Sequence, residues 1–128
     1  MVGNLLYING TPDSPEIRFI PEESRLLIKG RSLPEDAYTL YRPLIDWARS
    51  QSDIYTERNL YIDIELDYFN SSSGRYLLEF LAAMEQCLRP KTKALIRWYV
   101  EKEDELMMEK GEEFRQLIEI PFEIVYLD

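Results

Sequence analysis

Histidine is missing from all 128 residues, and cysteine occurs once, at Cys87. Without histidine, Ser-His-Asp and Cys-His nucleophile chemistry is excluded, and zinc sites lose their usual imidazole or multiple-thiolate ligands. A lone cysteine cannot form an internal disulfide, which suits a reducing compartment. Cys87 flanks an apolar helical pattern and reads as a small, partly buried filler. No segment approaches ~18 consecutive apolar residues, so no membrane span is expected. Met1–Leu5 lack the basic region and apolar run of a secretory signal, and the expected location is the cytoplasm. Glycine is scarce, and neither Gly-x4-Gly-Lys-Ser/Thr nor Gly-x-Gly-x-x-Gly occurs, so the usual phosphate cradle is absent. Cations are outnumbered 15 to 24, giving a formal charge of −9. That balance repels nucleic-acid backbones and anionic membranes, leaving proteins with basic or mixed faces as partners. No cofactor and no metal are expected, and any catalysis would rest on carboxylates, Lys, Tyr or hydroxyls.

The chain length fits one domain, 1–128, with a core of its own. Leu5 to Ile8 reads as a short edge strand, followed by turn chemistry from Asn9 to Pro15. Glu16–Ile20 and Arg25–Lys29 read as an antiparallel hairpin around Pro21–Ser24. Gly30 is expected to end the second of these strands. Ser32 with Glu35 forms a capping-box pattern that opens a helix running to about Ser50, with Pro34 in its first turn. Pro43 inside that helix removes a hydrogen bond to Thr39 and predicts a kink or break. A strand is expected over about 59–67, a helix over about 72–88 ended by Arg89-Pro90, and a strand over Ala94–Val100. An acidic helix from Glu103 to Ile118 and a last strand, Phe122–Leu127, complete the chain. Alternating strands and helices imply right-handed crossovers and a mainly parallel sheet with an N-terminal antiparallel hairpin. Leu60, Ile62, Ile64 and Leu66 alternate with Tyr61, Asp63, Glu65 and Asp67, so helices should cover mainly one face and leave the other open.

The junction Asn70-Ser71-Ser72-Ser73-Gly74 places three hydroxyls where a strand hands over to a helix N-terminus. Unpaired N–H groups and the helix dipole favour added negative charge there, so a phosphate on one serine is locally tolerated. Asn70 or a serine serving as N-cap explains the same residues, and the two roles coexist. Tyr68 and Phe69 adjoin the serines; Phe69 reads as a core plug. Glu103, Asp104, Glu105, Glu109, Glu112 and Glu113 fit either a docking patch for a basic partner or a solvated helix face. Asp63, Glu65 and Asp67 project on one strand face and are the candidate ligands of a rival, carboxylate-based metal enzyme.

Several motifs resemble those of the SiaC family of bacterial regulatory phosphoproteins. They are Thr11-Pro12…Pro15-Glu16-Ile17, Gly30-Arg31-Ser32-Leu33-Pro34-Glu35, Tyr41–Trp47, Leu66–Ser73, Trp98-Tyr99 with Glu103-Asp104-Glu105, Gly111-Glu112-Glu113-Phe114 and Ile120-Pro121-Phe122. Ser72-Ser73-Gly74 also resembles the phospho-acceptor loop of anti-sigma-factor antagonists, the STAS-like fold. The resemblance implies a STAS-like α/β fold and a non-enzymatic switch with no catalytic residues. The switch is set by a kinase with a histidine-kinase-like ATPase fold and reset by a PP2C-like phosphatase. Its unphosphorylated form binds a diguanylate cyclase, which controls cyclic-di-GMP signalling and biofilm behaviour. The family's acceptor hydroxyl lands on Ser71, where serine replaces threonine; the STAS-type register lands on Ser72. Partner contacts are expected at Tyr68, Asn70, Ser71, Ser72, Ser73 and Asp104. A constitutive scaffold without phosphorylation is the alternative.

Overall fold

The computed structural model describes residues 6–50, 59–88 and 93–127. The expected strand start at Leu5, the N-terminal segment Met1–Leu5 and the helix stop at Arg89-Pro90 lie outside these residues. Six strands form one sheet in the order β1 (Tyr7–Ile8), β2 (Glu16–Ile20), β3 (Arg25–Ser32), β4 (Leu60–Phe69), β5 (Ala94–Glu101) and β6 (Phe122–Leu127). The first three are antiparallel and the last four parallel, as the alternation of elements implies. Helices α1 (Ala37–Arg49), α2 (Ser71–Cys87) and α3 (Glu105–Leu117) are the three crossovers. Each step moves to the next strand in the same direction, so right-handed connections put all three helices on one face.

The covered face is the even register of β4. Leu26 and Ile28 of β3, Ile62 and Ile64 of β4 and Ile96 and Trp98 of β5 stand side by side, all essentially inaccessible. Tyr41, Leu44, Leu77, Phe80, Leu81, Met84, Met107 and Phe114 close over them from the helices. Trp98 is the hub above β5: its ring meets Phe69, Phe114 and Phe122, and its Nε1–H donates to the Met107 carbonyl at 3.1 Å.

Three local expectations are corrected. Ser32 does not cap α1. It is the last residue of β3, in register with Phe69 and fully buried, and the cap is Asp36, which accepts from the Thr39 N–H at 3.2 Å. The reason is Pro34, which biases the preceding Leu33 away from helix and keeps the chain extended past the apparent capping box. β3 also continues through Gly30, whose φ of +126° and the register shift between Gly30 and Arg31 form a bulge instead of an end. α1 runs unbroken through Pro43. Pro43 and Thr39 both lie on the exposed side, so water can satisfy the Thr39 carbonyl that loses its amide partner.

The open face is not uniformly polar. Asp63, expected there among exposed carboxylates, is only 1% exposed. Its oxygens accept from Arg25 Nε at 2.6 Å, Arg97 Nε at 2.6 Å and Arg97 Nη2 at 3.0 Å. The Arg97 guanidinium also lies 4.4 Å from the centre of the Tyr61 ring. Both guanidinium pKa values are raised, chiefly by these hydrogen bonds to Asp63.

Candidate functional site

Because β3 to β6 are parallel, all three helices begin at one end of the sheet, beyond the C-terminal ends of β3, β4 and β5. Each start carries a short Asp or Asn cap. Asp36 accepts from Thr39, Asn70 from the Ser73 N–H at 2.9 Å and Asp104 from the Met107 N–H at 3.1 Å. Each cap satisfies one donor that the helix itself cannot.

At α2 the cap is Asn70, so the serines are released from that duty, and their three environments differ sharply. Ser71 and Ser72, in the first turn, are exposed. Among the described residues neither hydroxyl has a hydrogen-bond partner. Ser73 is fully buried. Its hydroxyl donates to the Ser32 carbonyl at 3.0 Å and receives from the Ser32 hydroxyl at 2.8 Å, which itself lies 2.8 Å from the Tyr41 hydroxyl. This chain ties α2 to the end of β3 and to α1. A surface contact at Ser73, expected from sequence, is therefore corrected: the residue faces inward and holds the tip in place. Its position four residues before Leu77, on the stripe Leu77, Phe80, Leu81 and Met84, is the sequence signal for that inward direction.

Burial pushes the Tyr41 phenol above its ordinary range, partly offset by its hydroxyl neighbours. The stability that the neutral phenol contributes is complete at neutral pH and is lost as the pH rises through this raised value. Ser73→Ala is expected to cost about 1–3 kcal/mol, because the buried Ser32–Tyr41 hydroxyl pair loses an acceptor, although the Ser32 carbonyl keeps the Asn70 N–H. Ser71→Ala and Ser72→Ala should each stay within about 0.5 kcal/mol of wild type. Urea denaturation of the three variants checks the contrast, and three equal losses would contradict this assignment of inward and outward hydroxyls.

Gly74 completes the tip. A Cβ there would lie 2.9 Å from the edge of the Phe69 ring, so the absence of a side chain lets α2 settle on Phe69. Tyr68 is 40% exposed beside it. Sequence reasoning missed a neighbouring patch. The Tyr38 and Tyr76 rings meet edge-on at 6.0 Å, with the Arg42 guanidinium 5.6 Å from the Tyr38 ring and that of Arg75 5.7 Å from the Tyr76 ring. Tyr38 lies off the apolar stripe of α1, and Tyr76 follows Ser72 by one turn; those spacings are the signal. Tyrosine and arginine are among the side chains enriched at the energetic centres of protein interfaces.

Asp104 stands at the next helix start along the same end of the sheet. Besides capping α3, it joins Glu65, Asp67, Tyr99, Glu101 and Leu127 around a shallow recess of about 90 Å³. The remaining carboxylates of the acidic row on α3 are exposed, and Glu112 pairs with Arg115 at 3.1 Å. The rival metal reading loses its first ligand, since two arginines occupy the Asp63 oxygens. Among the described residues no group of three or more acidic or cysteine side chains is arranged to hold a metal, and no helix is long and apolar enough to cross a membrane.

A one-sided α/β sheet with free hydroxyls at a helix start suits a small regulatory module of the signalling class. The chain matches the SiaC family of regulatory phosphoproteins over residues 8–127, and it belongs to that family. An uncharacterised protein of Pseudomonas aeruginosa (strain UCBPP-PA14) is 33% identical over 120 residues, covering 93% of this chain and 94% of that one. Among solved structures, the fold is similar to a chain in the P. aeruginosa complex of the diguanylate cyclase SiaD with its activator SiaC. The TM-score is 0.85 and the identity 31%, over 95% of this chain and 99% of that chain. SiaC of P. aeruginosa matches with a TM-score of 0.84 and 30% identity, over 96% and 98%.

Proposed function

We propose that this protein is a non-enzymatic, cytoplasmic switch that binds and regulates a diguanylate cyclase while Ser71 is unmodified. The observation that carries this reading is the pair of exposed, unengaged hydroxyls at Ser71 and Ser72, in the first turn of a helix capped by another residue. A kinase with a histidine-kinase-like ATPase fold transfers the γ-phosphoryl of ATP to Ser71. The serine oxygen forms the new P–O bond, ADP leaves and the hydroxyl proton is released. A PP2C-like phosphatase hydrolyses the ester and resets the switch. Ser72 is the second choice of acceptor.

The phosphoryl group adds about −1.5 to −2 charge and three acceptor oxygens. Where the tip packs against a partner, desolvating that charge costs more than a surface ion pair returns. Binding is then lost with the fold intact. Tyr68, Asn70, Ser72 and Asp104 lie along the same rim of helix starts and are proposed partner contacts. A cyclase as the partner is supported by the 31%-identical chain seen with SiaD.

Incubation with the cognate kinase and ATP is expected to add one phosphoryl group by intact mass, absent in Ser71→Ala and retained in Ser72→Ala. Loss in Ser72→Ala alone reassigns the acceptor. No addition to folded wild type leaves a constitutive scaffold and ends the switch proposal. Ser71→Asp is expected to weaken cyclase binding by about tenfold or more. Its melting temperature should stay within about 2 °C of wild type. Equal affinities by calorimetry would count against the electrostatic mechanism.

A further inference from the structure

The two edges of the sheet are finished differently. β1 is only two residues long and runs into Gly10, Pro12 and Pro15, residues that blunt an edge. β6 has six residues, Phe-Glu-Ile-Val-Tyr-Leu, pairs only with β5, and contains no proline, lysine or bulge. Glu123 is its single charge.

The direction of the free backbone groups follows from the ladder. The Ile96 N–H donates to the Pro121 carbonyl at 2.9 Å, and Ile96 stands in register with Phe122. In a parallel pair this turns the N–H and C=O groups of Glu123, Val125 and Leu127 toward β5. Those of Phe122, Ile124 and Tyr126 therefore point away from the sheet. Tyr126 is 52% exposed, and Leu117, which ends α3 on the same side of the sheet and at the Phe122 end of β6, is 63% exposed.

We propose that β6 pairs antiparallel with β6 of a second copy of this chain, across a two-fold axis at Ile124. In that register Ile124 faces itself and Phe122 faces Tyr126 of the second copy, each pair exchanging both N–H···O bonds. All the outward backbone groups are then answered. The side chains agree: an aromatic pair forms at each end on the helix-covered face, with the exposed Leu117 at the Phe122 end. On the open face Glu123 meets Val125, so no like charges oppose each other. A strand that complements itself without a charge conflict fits an isologous dimer. The −9 charge on each copy repels at longer range, so the association is weak and strengthens as salt screens it. Docking of a basic partner on the same edge has the opposite salt dependence.

Sedimentation velocity of the full chain, from low-micromolar to near-millimolar concentration, tests this. Wild type is expected to move from monomer to dimer, and further toward dimer at higher salt. Amide exchange at Phe122, Ile124 and Tyr126 should slow in parallel. Ile124→Pro deletes an outward N–H and leaves the bonds to β5 intact, as edge strands tolerate. Tyr126→Lys places a cation at an exposed position on the edge. Each variant is expected to weaken dimerisation by about tenfold or more. If Ile124→Pro fails to fold, Tyr126→Lys alone decides. A wild type that stays monomeric throughout overturns the proposal, as does a dimer that Tyr126→Lys leaves unchanged or that salt loosens.

Discussion

Replacing Arg25 and Arg97 together by alanine is expected to destabilise the fold by about 3–5 kcal/mol, the range for a buried charge that loses its partners. Asp63 is 1% exposed, whereas the two arginine side chains are 30% and 27% exposed. The asymmetry decides which deletion matters. Without the guanidiniums the carboxylate keeps no cation, and water reaches it only where the truncated arginines uncover it. Without the carboxylate, both arginines can turn toward solvent. Asp63→Asn should therefore cost less, about 1–3 kcal/mol. Urea denaturation of the double variant and of Asp63→Asn gives the comparison. A double variant within about 1 kcal/mol of wild type would show that water reaches Asp63.

The second large effect is expected at Gly111. A Cβ at this position would fall 2.8 Å from both Cδ1 and Nε1 of Trp98, whose ring is fully buried and fixed by its bond to Met107. Alanine ordinarily favours a helix over glycine by about 1 kcal/mol. Here overpacking costs about 1–3 kcal/mol and opposes that gain, so Gly111→Ala is expected to be net destabilising. Larger side chains are worse, because α3 has to lift from β5. Gly111→Val should cost more than Gly111→Ala and loosen the Trp98 environment, read by near-ultraviolet circular dichroism. A stabilised Gly111→Ala would mean that the ring shifts at little cost.

Much of the architecture is legible in residue spacing. The apolar alternation Leu60, Ile62, Ile64, Leu66 specifies a strand covered on one side, and the stripe Leu77, Phe80, Leu81, Met84 specifies its covering helix. Both signals are local and strong, and the ends of these two elements fall within one or two residues of expectation. The misreadings arise where non-local partners decide. Ser32 looks like a cap because Glu35 follows at the right distance, yet its true neighbours, Tyr41 and Ser73, come from two helices. Asp63 reads as one of a row of exposed acids. Its two arginines, 38 and 34 residues away, arrive only when β3 and β5 flank β4. At the serine tip the hydroxyls are visible in the sequence, but which of them face water depends on the helical phase set by Leu77 and Phe80.

One layer of helices above the sheet has a spatial consequence for regulation. The bare underside and the rim of helix starts are separate addresses on one molecule. A protein seated beneath the strands leaves Ser71 within reach of a modifying enzyme. In the proposed switch the cyclase instead sits on the rim and covers Ser71 while bound, so the kinase acts on the free protein.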